Sequence, residues 1–544
     1  MGQEKPPVYI LAGVANFKPP AVWEQVSVGG SKILEEYWSS GKLRELFAEE
    51  FLWTGFDRLV REAQQQGIDI SQTRTINVAV SYTHELAQMT EEEVAEDFRR
   101  RLSQSQHASI FRQPPRIRFT PTHAASAAGI VPYNDALADL VERGEEVSIV
   151  VAGGNTKGTN RNRSRISPAE TTRIFASLVS PFDQKHAKAN MLKLGAAALG
   201  RVYQHDFFMM TALSRFVYEQ RLHTHEMARR NLSTAHVTTH PDEIEDRTIF
   251  YPVKLIGVAP QSMGYAGLIL SKQPPRAARA VRVVGVGCGV EASSIRDRES
   301  HLFSRAMASA VSTALTQARI PGLESLKILE HHNPYPAVPL TEVEVLLKSL
   351  GYPHSVTHAL LGNDVGVHGR LIKAGRSGGA QSGHAITPTF IRLTFETFKQ
   401  LLGTGGYPAL EIGEGEVAYA GTSSVGGHHT FDGYSILAGG RTEEVAKLQV
   451  DLTPFDHDAY NARVERDLDD QAALTGAPVP EGMTVAFISY QDTKAGREFF
   501  GIARTPDGRD VPFAATPAFF ARLLQTAYIG TPVRISATLQ AQEG

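Results

Sequence analysis

The chain repeats itself, and that repetition limits what it can fold into. VRVVGVGCGVE, from Val281 to Glu291, parallels PVYILAGVANF near the start. A helix followed by IPGLESLKILEHHNP parallels the helix, GIDISQ turn and INVAV strand of the first half. GGAQSGHAITPTFIRLTFETFKQL parallels THAASAAGIVPYNDALADL, and GEGEVAYAGTSS, Gly413 to Ser424, parallels GEEVSIVVAGGN, Gly144 to Asn155. Internal repetition at this scale decides the fold class before local propensity does. Each copy alternates apolar strand-length runs with helical periodicity, the pattern of an α/β unit with a largely parallel sheet. The expected divisions are a first half over 1–275, a second over 276–441 and an appended unit over 442–544.

Two stretches depart from the alternation. From about 155 to 250 a polar, basic opening gives way to helical segments such as MMTALSRFVYEQRLHTHEMARRNL, which reads as a helical loop insertion in the first half. After Gly440 the composition shifts to a charged helical segment, then to short strands, one pair joined at Pro506-Asp507-Gly508. That tail reads as a small C-terminal β domain.

Composition narrows the function. At 544 residues the chain is long enough for two to four domains. A formal net charge of -3 gives no reason to expect a nucleic acid or an anionic membrane surface as partner. No run is apolar and long enough to span a bilayer, and the first residues lack a signal-type pattern. The single cysteine, Cys288, excludes an internal disulfide and fits a cytoplasmic location.

The stretch that concentrates candidate chemistry is AGRSGGAQSGHAITPTFIRLTFETF, Ala374 to Phe398. The glycines Gly378, Gly379 and Gly383 permit close backbone approach. His384 sits on that Gly-rich turn just before a helix expected from about Thr387, where an imidazole can be presented to a cavity as a base. A Gly-rich turn with an incidental histidine is the alternative. The pairs His331-His332 and His428-His429 lack metal-ligand spacing, so no metal is expected. GVGCGVE, Gly285 to Glu291, lacks the third glycine and downstream acid of a dinucleotide site. KGTNRNRSR, Lys157 to Arg165, is a solvated loop or a contact for phosphates.

In their order and spacing, four blocks resemble the thiolase superfamily over most of Pro7 to Gly440. AGRSGGAQSGHA is similar to NxxGGxxxxGHP, with Ala385 in place of proline and one residue fewer before Gly383. LEHHNPYP, Leu329 to Pro336, resembles the NEAF or HDCF block, the latter from thiolases of the sterol-carrier-protein type; His332 then stands for the Asn or His and Asn333 for the acidic residue. HAASAAGIVPYNDALADLVERGEEVSIVVAGG resembles the block that opens with the nucleophilic cysteine. SMGYAGLIL, Ser262 to Leu270, resembles the DGAAA segment. The tail looks like the extra domain of some bacterial thiolase-like proteins. The resemblance implies a five-layer αβαβα core from two duplicated halves, plus a small C-terminal β domain.

It also implies an acyl-CoA acyltransferase related to acetyl-CoA acetyltransferase, with an acyl-CoA thioester as substrate and no bound cofactor. A homodimer through the core is implied, with a monomer as the alternative because the extra domain could cover that face. The departures are chemical. Thiolases use two cysteines, and neither position holds one here: Ser126 is the only nucleophilic side chain between Ala124 and Ala128, and Ala420 to His429 contains no cysteine. By the resemblance, His384 is the base, His332 the oxyanion donor and Ser126 the acyl acceptor. Gly379, Gly383, Asn333 and Ser262 fall at substrate-binding positions. His331 points away if its segment is extended, and His123, His428 and His429 are set aside as satisfied polar residues. The competing reading is a non-catalytic acyl-CoA- or lipid-binding protein, or a scaffold, on the same fold.

Overall fold

The computed structural model describes residues 5–18, 36, 40, 47–80, 91–120, 125–155, 179–187, 189–203, 207–229, 239–245, 247–298, 303–349, 360–361, 364–367, 369–476, 481–493, 496–516, 518–519, 521, 532–535 and 541–543. Among the described residues twelve strands form one continuous sheet; Leu360–Leu361 and Asp364–Val367 extend one edge, and each half supplies five of the others. The first half supplies β1 (Val8–Asn16), β2 (Thr75–Val80), β3 (Arg116–Phe119), β4 (Val147–Asn155) and β5 (Met263–Ser271). The second supplies β6 (Arg279–Val290), β7 (Leu326–Glu330), β8 (Arg370–Ala374), β9 (Ala418–Gly426) and β10 (Phe431–Arg441). Each half orders its strands third, second, fourth, fifth, first, with the fifth antiparallel to both neighbours. The duplication read from sequence is therefore a duplication of topology. The halves join where Val8, Tyr9 and Ile10 pair with Val283, Arg282 and Val281.

Helices fill the remaining layers. In the first half α1 (Ala48–Gln65) covers one face of the sheet, and α2 (Ile130–Val141) lies on the other. The insertion contributes α3 (Phe207–Arg229). In the second half α4 (Arg305–Ala318) covers the outer face, and α5 (Thr387–Leu402) lies between the sheets. One apolar cluster combines Ile130, Val131 and Leu137 of α2 with Phe390 and Ile391 of α5, Val150 and Leu268 of the first sheet, and Ala418 and Ala420 of the second. That cluster is the middle of an αβαβα stack. Along β4, Val150 and Ala152 face it while Ile149 and Val151 face α1, so both sheet faces are buried and the strand reads as a continuous apolar run.

The GVGCG run acquires a packing role. A Cβ on Gly285, Gly287 or Gly289 would overlap the backbone carbonyls of Ala314, Ala310 and Ala306 on α4. Alternate glycines on β6 against alanines four apart on α4 bring helix and strand together more closely than side chains would permit.

The C-terminal residues form a separate five-stranded antiparallel sheet from Met483–Thr493, Gly496–Arg504, Asp510–Ala515, Pro532–Ile535 and Ala541–Glu543. The expected turn at Pro506-Asp507-Gly508 is present, with Gly508 at φ 87°. This sheet packs on the insertion: Phe182 joins Met483, Val485 and Phe513 in one cluster. α6 (His457–Ala473) tethers the region, as Gln471 accepts from Ser180 and donates to Asp297.

Candidate active site

The Gly-rich stretch folds as a strained corner leading into α5. Gly378, Gly379 and Gly383 have φ of 80°, 56° and 134°. Ile386 has φ 66°, which a β-branched residue adopts only when its surroundings enforce it. The enforcement comes from four sides. The buried Arg392 donates to the carbonyl of Gly379. Asn333 Oδ1 accepts from the backbone N–H of Gln381 at 3.3 Å, and its Nδ2 donates to the Gly378 carbonyl at 3.4 Å. His384 donates its N–H to the carbonyl of Pro260 at 3.0 Å, and its own carbonyl accepts from the Ser262 N–H at 3.2 Å. Arg221 of α3, 4% exposed, donates to the carbonyls of Gln381, Ile256 and Val258 and so ties the corner to the segment that holds His384.

That corner aims His384 at Ser126, which lies on the short turn Ala125–Ala127 ahead of α2. Ser126 Oγ is 3.2 Å from His384 Nε2. On the other side of the ring, Nδ1 is 3.2 Å from Thr389 Oγ1, one turn along α5. Both partners are hydroxyls, and in the tautomer with the proton on Nδ1 the Nε2 lone pair receives the serine proton. His332 completes the group, its ring centroid 5.1 Å from that of His384. The Val425 N–H donates to His332 Nδ1 at 3.0 Å, so the neutral ring carries its proton on Nε2. That Nε2 is buried and has no partner among the described residues. A buried N–H without a partner is costly, and this one is able to donate to an oxygen brought to the site.

Burial sets the electrostatics. His384 is pushed down to about 3, first by desolvation and then by the Arg392 charge. His332 is lowered well below the usual histidine range, first by desolvation, then by His384 and His429. Both rings are therefore neutral near pH 7. The unfolded chain binds protons at these positions below about pH 6.5, whereas folded His384 binds one only near pH 3. Stability from His384 is thus fully present above about pH 6.5 and is lost as pH falls from there towards about 3, at up to ~1.4 kcal/mol per pH unit. Urea unfolding from pH 7 to pH 4 is expected to show this slope, and His384→Phe to reduce it; an identical slope in the variant would refute the assignment.

The structure brings together Ser126, His384 and His332, and gives the other expected residues supporting contacts. Gly379 packs against Asn333, where a Cβ would overlap Oδ1. Gly383 forms the bend before His384. The Ser262 hydroxyl donates to the Phe17 carbonyl at 2.9 Å, leaving the backbone of Ser262 to brace His384. His331 turns away, its Nδ1 2.9 Å from Glu342 Oε2. Cys288 is buried, its thiol pKa raised by desolvation and then by Asp432. His123 and the basic run at 157–165 lie outside the described residues.

Sequence reasoning missed Thr389, Arg392, Arg221 and Ser424. The first two had a signal: Thr389, Arg392, Glu396 and Gln400 recur at spacings of three, four and four, as one polar stripe along the helix. Ser424 lies on β9 with Thr422, whose hydroxyl meets Thr397 of α5 at 2.8 Å, so alternation turns Ser424 to the same central face. Its buried Oγ has no partner among the described residues.

No protein-family model matches the chain, and no curated protein matches it significantly. Solved structures do. A monomeric SCP2-thiolase-like protein type 1 from Mycobacterium smegmatis is similar over 100% of each chain at 13% identity, with a TM-score of 0.62. Human mitochondrial 3-ketoacyl-CoA thiolase in complex with CoA is similar over 80% of this chain and 98% of its own at 12% identity, with a TM-score of 0.50. An acetyl-CoA acetyltransferase from Syntrophomonas wolfei is similar over 80% and 99% at 13% identity, with a TM-score of 0.50. At such identities the likeness speaks for architecture alone, and with the repeated strand order and the two central helices it leads to one conclusion: this chain has the thiolase fold.

Proposed function

We propose that the protein is an acyltransferase that receives an acyl group from an acyl-CoA thioester on Ser126. The observation that carries this reading is the 3.2 Å approach of Ser126 Oγ to His384 Nε2 beside the unpaired Nε2–H of His332. His384 takes the serine proton as Oγ attacks the thioester carbonyl. The developing oxyanion meets the Nε2–H of His332. Collapse breaks the C–S bond, and the proton on His384 passes to the CoA thiolate. The CoA complex and the acetyl-CoA acetyltransferase among the similar structures support the substrate class. Whole-length likeness to a monomeric protein, C-terminal sheet included, supports a monomer, the alternative to the dimer that the resemblance implies. Lipid metabolism in the cytoplasm is the setting that suits this substrate, and no helix among the described residues is long and apolar enough to cross a membrane.

One observation favours the competing reading, a non-catalytic acyl-CoA- or lipid-binding protein or scaffold. A histidine pushed down to about 3 gains a proton reluctantly, and the Nδ1 of His384 meets the Thr389 hydroxyl. Intact-protein mass spectrometry after incubation with acetyl-CoA and longer acyl-CoAs separates the two. The expected result is a gain of one acyl group that is absent in Ser126→Ala. CoA binding by calorimetry without any adduct would support the binding role, and absence of both would leave a scaffold.

A further inference from the structure

A second histidine in this core is built as a base, and sequence reasoning set it aside. His429 lies on the turn between β9 and β10, five residues past Ser424. Its Nδ1 is 2.8 Å from Asp432 Oδ2, and that oxygen also accepts from Ser304 Oγ at 3.0 Å. A carboxylate only accepts, so the His429 proton resides on Nδ1 and the Nε2 lone pair is free. Nε2 is buried and has no partner among the described residues. The residue is held at φ 61°, left-handed backbone that only its surroundings can impose. The preceding His428 is committed elsewhere, its Nδ1 3.2 Å from the Tyr335 hydroxyl. His332 is bonded through Nδ1 to the Val425 N–H at the end of β9, four residues before His429, so the two rings belong to the same corner of the core.

The open valences are complementary. His332 offers an N–H, His429 a lone pair, and Ser424 a hydroxyl that can do either. A ligand satisfying them presents a hydrogen-bond acceptor towards His332 and an acidic hydrogen towards His429. His429 is backed by the Asp432 carboxylate, which stabilises the imidazolium as proton transfer proceeds, whereas the Nδ1 of His384 meets the Thr389 hydroxyl. Imidazole oriented in this way serves to activate O–H and S–H groups.

We propose that His429, positioned by Asp432, is the base that activates a protic acceptor, an alcohol or thiol, for the second half of the transfer. This rests on acylation of Ser126. His429 Nε2 removes the acceptor proton, and the acceptor oxygen or sulfur attacks the carbonyl of the seryl ester. The bond from that carbonyl to Ser126 Oγ breaks, and the proton held on His429 is returned to Oγ. Acyl-serine and acceptor become acylated acceptor and free serine, with no other reactant consumed.

The test follows acetyl groups from acetyl-CoA to N-acetylcysteamine or ethanolamine, with adduct mass and transfer product measured together in the full chain. In His429→Gln and Asp432→Asn the Ser126 adduct is expected to form and persist, with discharge to the acceptor slowed by roughly 10²–10⁴-fold. Discharge at the wild-type rate in both variants would overturn the proposal, as would a wild-type adduct that neither acceptor discharges. Loss of adduct formation in His429→Gln would assign His429 to the first step and overturn it as well. Transfer that depends on His429 but survives Ser126→Ala would refute serine acylation while upholding His429 as the acceptor's base. An arm in deuterated water checks for label entering the acetyl α-carbon; label without transfer would mark a carbon acid and exclude a protic acceptor.

Discussion

His384→Gln slows acylation of Ser126 by roughly 10²–10⁴-fold, the contribution expected of a positioned general base. Glutamine preserves much of the volume and can bond to the Ser126 or Thr389 hydroxyl, but it cannot accept a proton. The loss should therefore appear in the rate of adduct formation and leave CoA binding nearly unchanged. Rapid-quench mass spectrometry gives the rate and calorimetry the binding. The pH dependence supplies an independent check. Since His384 is pushed down to about 3, its neutral form dominates from about pH 4 upward. The acylation rate should show no inflection near pH 6.5 arising from this residue. An acidic limb centred there and removed by His384→Gln would contradict the burial of the ring and the effect of the Arg392 charge on it.

Arg392→Met is expected to cost about 3–5 kcal/mol in folding stability, as removal of one member of a buried charge group does. The guanidinium is completely buried in α5, lies 5.0 Å from the Phe17 ring, and bonds to Gly379 through one nitrogen. Its Nε and Nη1 have no hydrogen-bond partner among the described residues. Desolvation lowers its pKa, and what keeps it charged against this is the field of the Glu396 and Glu330 carboxylates. Glu330 and Glu396 are themselves 0% exposed, so methionine would leave their carboxylates in a low-dielectric interior without that cation. Urea unfolding at pH 7 measures the loss, with Arg392→Lys as the variant that retains charge. A loss below about 1 kcal/mol would show that the carboxylates are balanced without Arg392. The substitution should also raise the His384 pKa, because the Arg392 charge is one of its two depressing causes.

Legibility from sequence followed the range of the interactions. The INVAV strand of the first half is present within Thr75–Val80, and α5 begins at Thr387 as expected. These elements announce themselves through local alternation and turn chemistry. The partner of His429 was unreadable because Asp432 looks like an ordinary strand residue until the hairpin places it against the ring. Arg221 was unreadable for a similar reason: its three carbonyl partners lie more than thirty residues away.

The sequence by itself determined the duplicated α/β architecture, since apolar periodicity and glycine placement within each half specify strands, helices and close packing over short distances. It also determined that the chain has a single cysteine, Cys288, and so no internal disulfide. Only the tertiary structure decided which polar side chains meet. Ser126 and His384 are separated by 258 positions and joined by a 3.2 Å contact. The tautomer, charge state and open valence of each histidine depend on such contacts and on burial. These are properties of a low-dielectric environment assembled from both halves, and residue identity alone does not carry them.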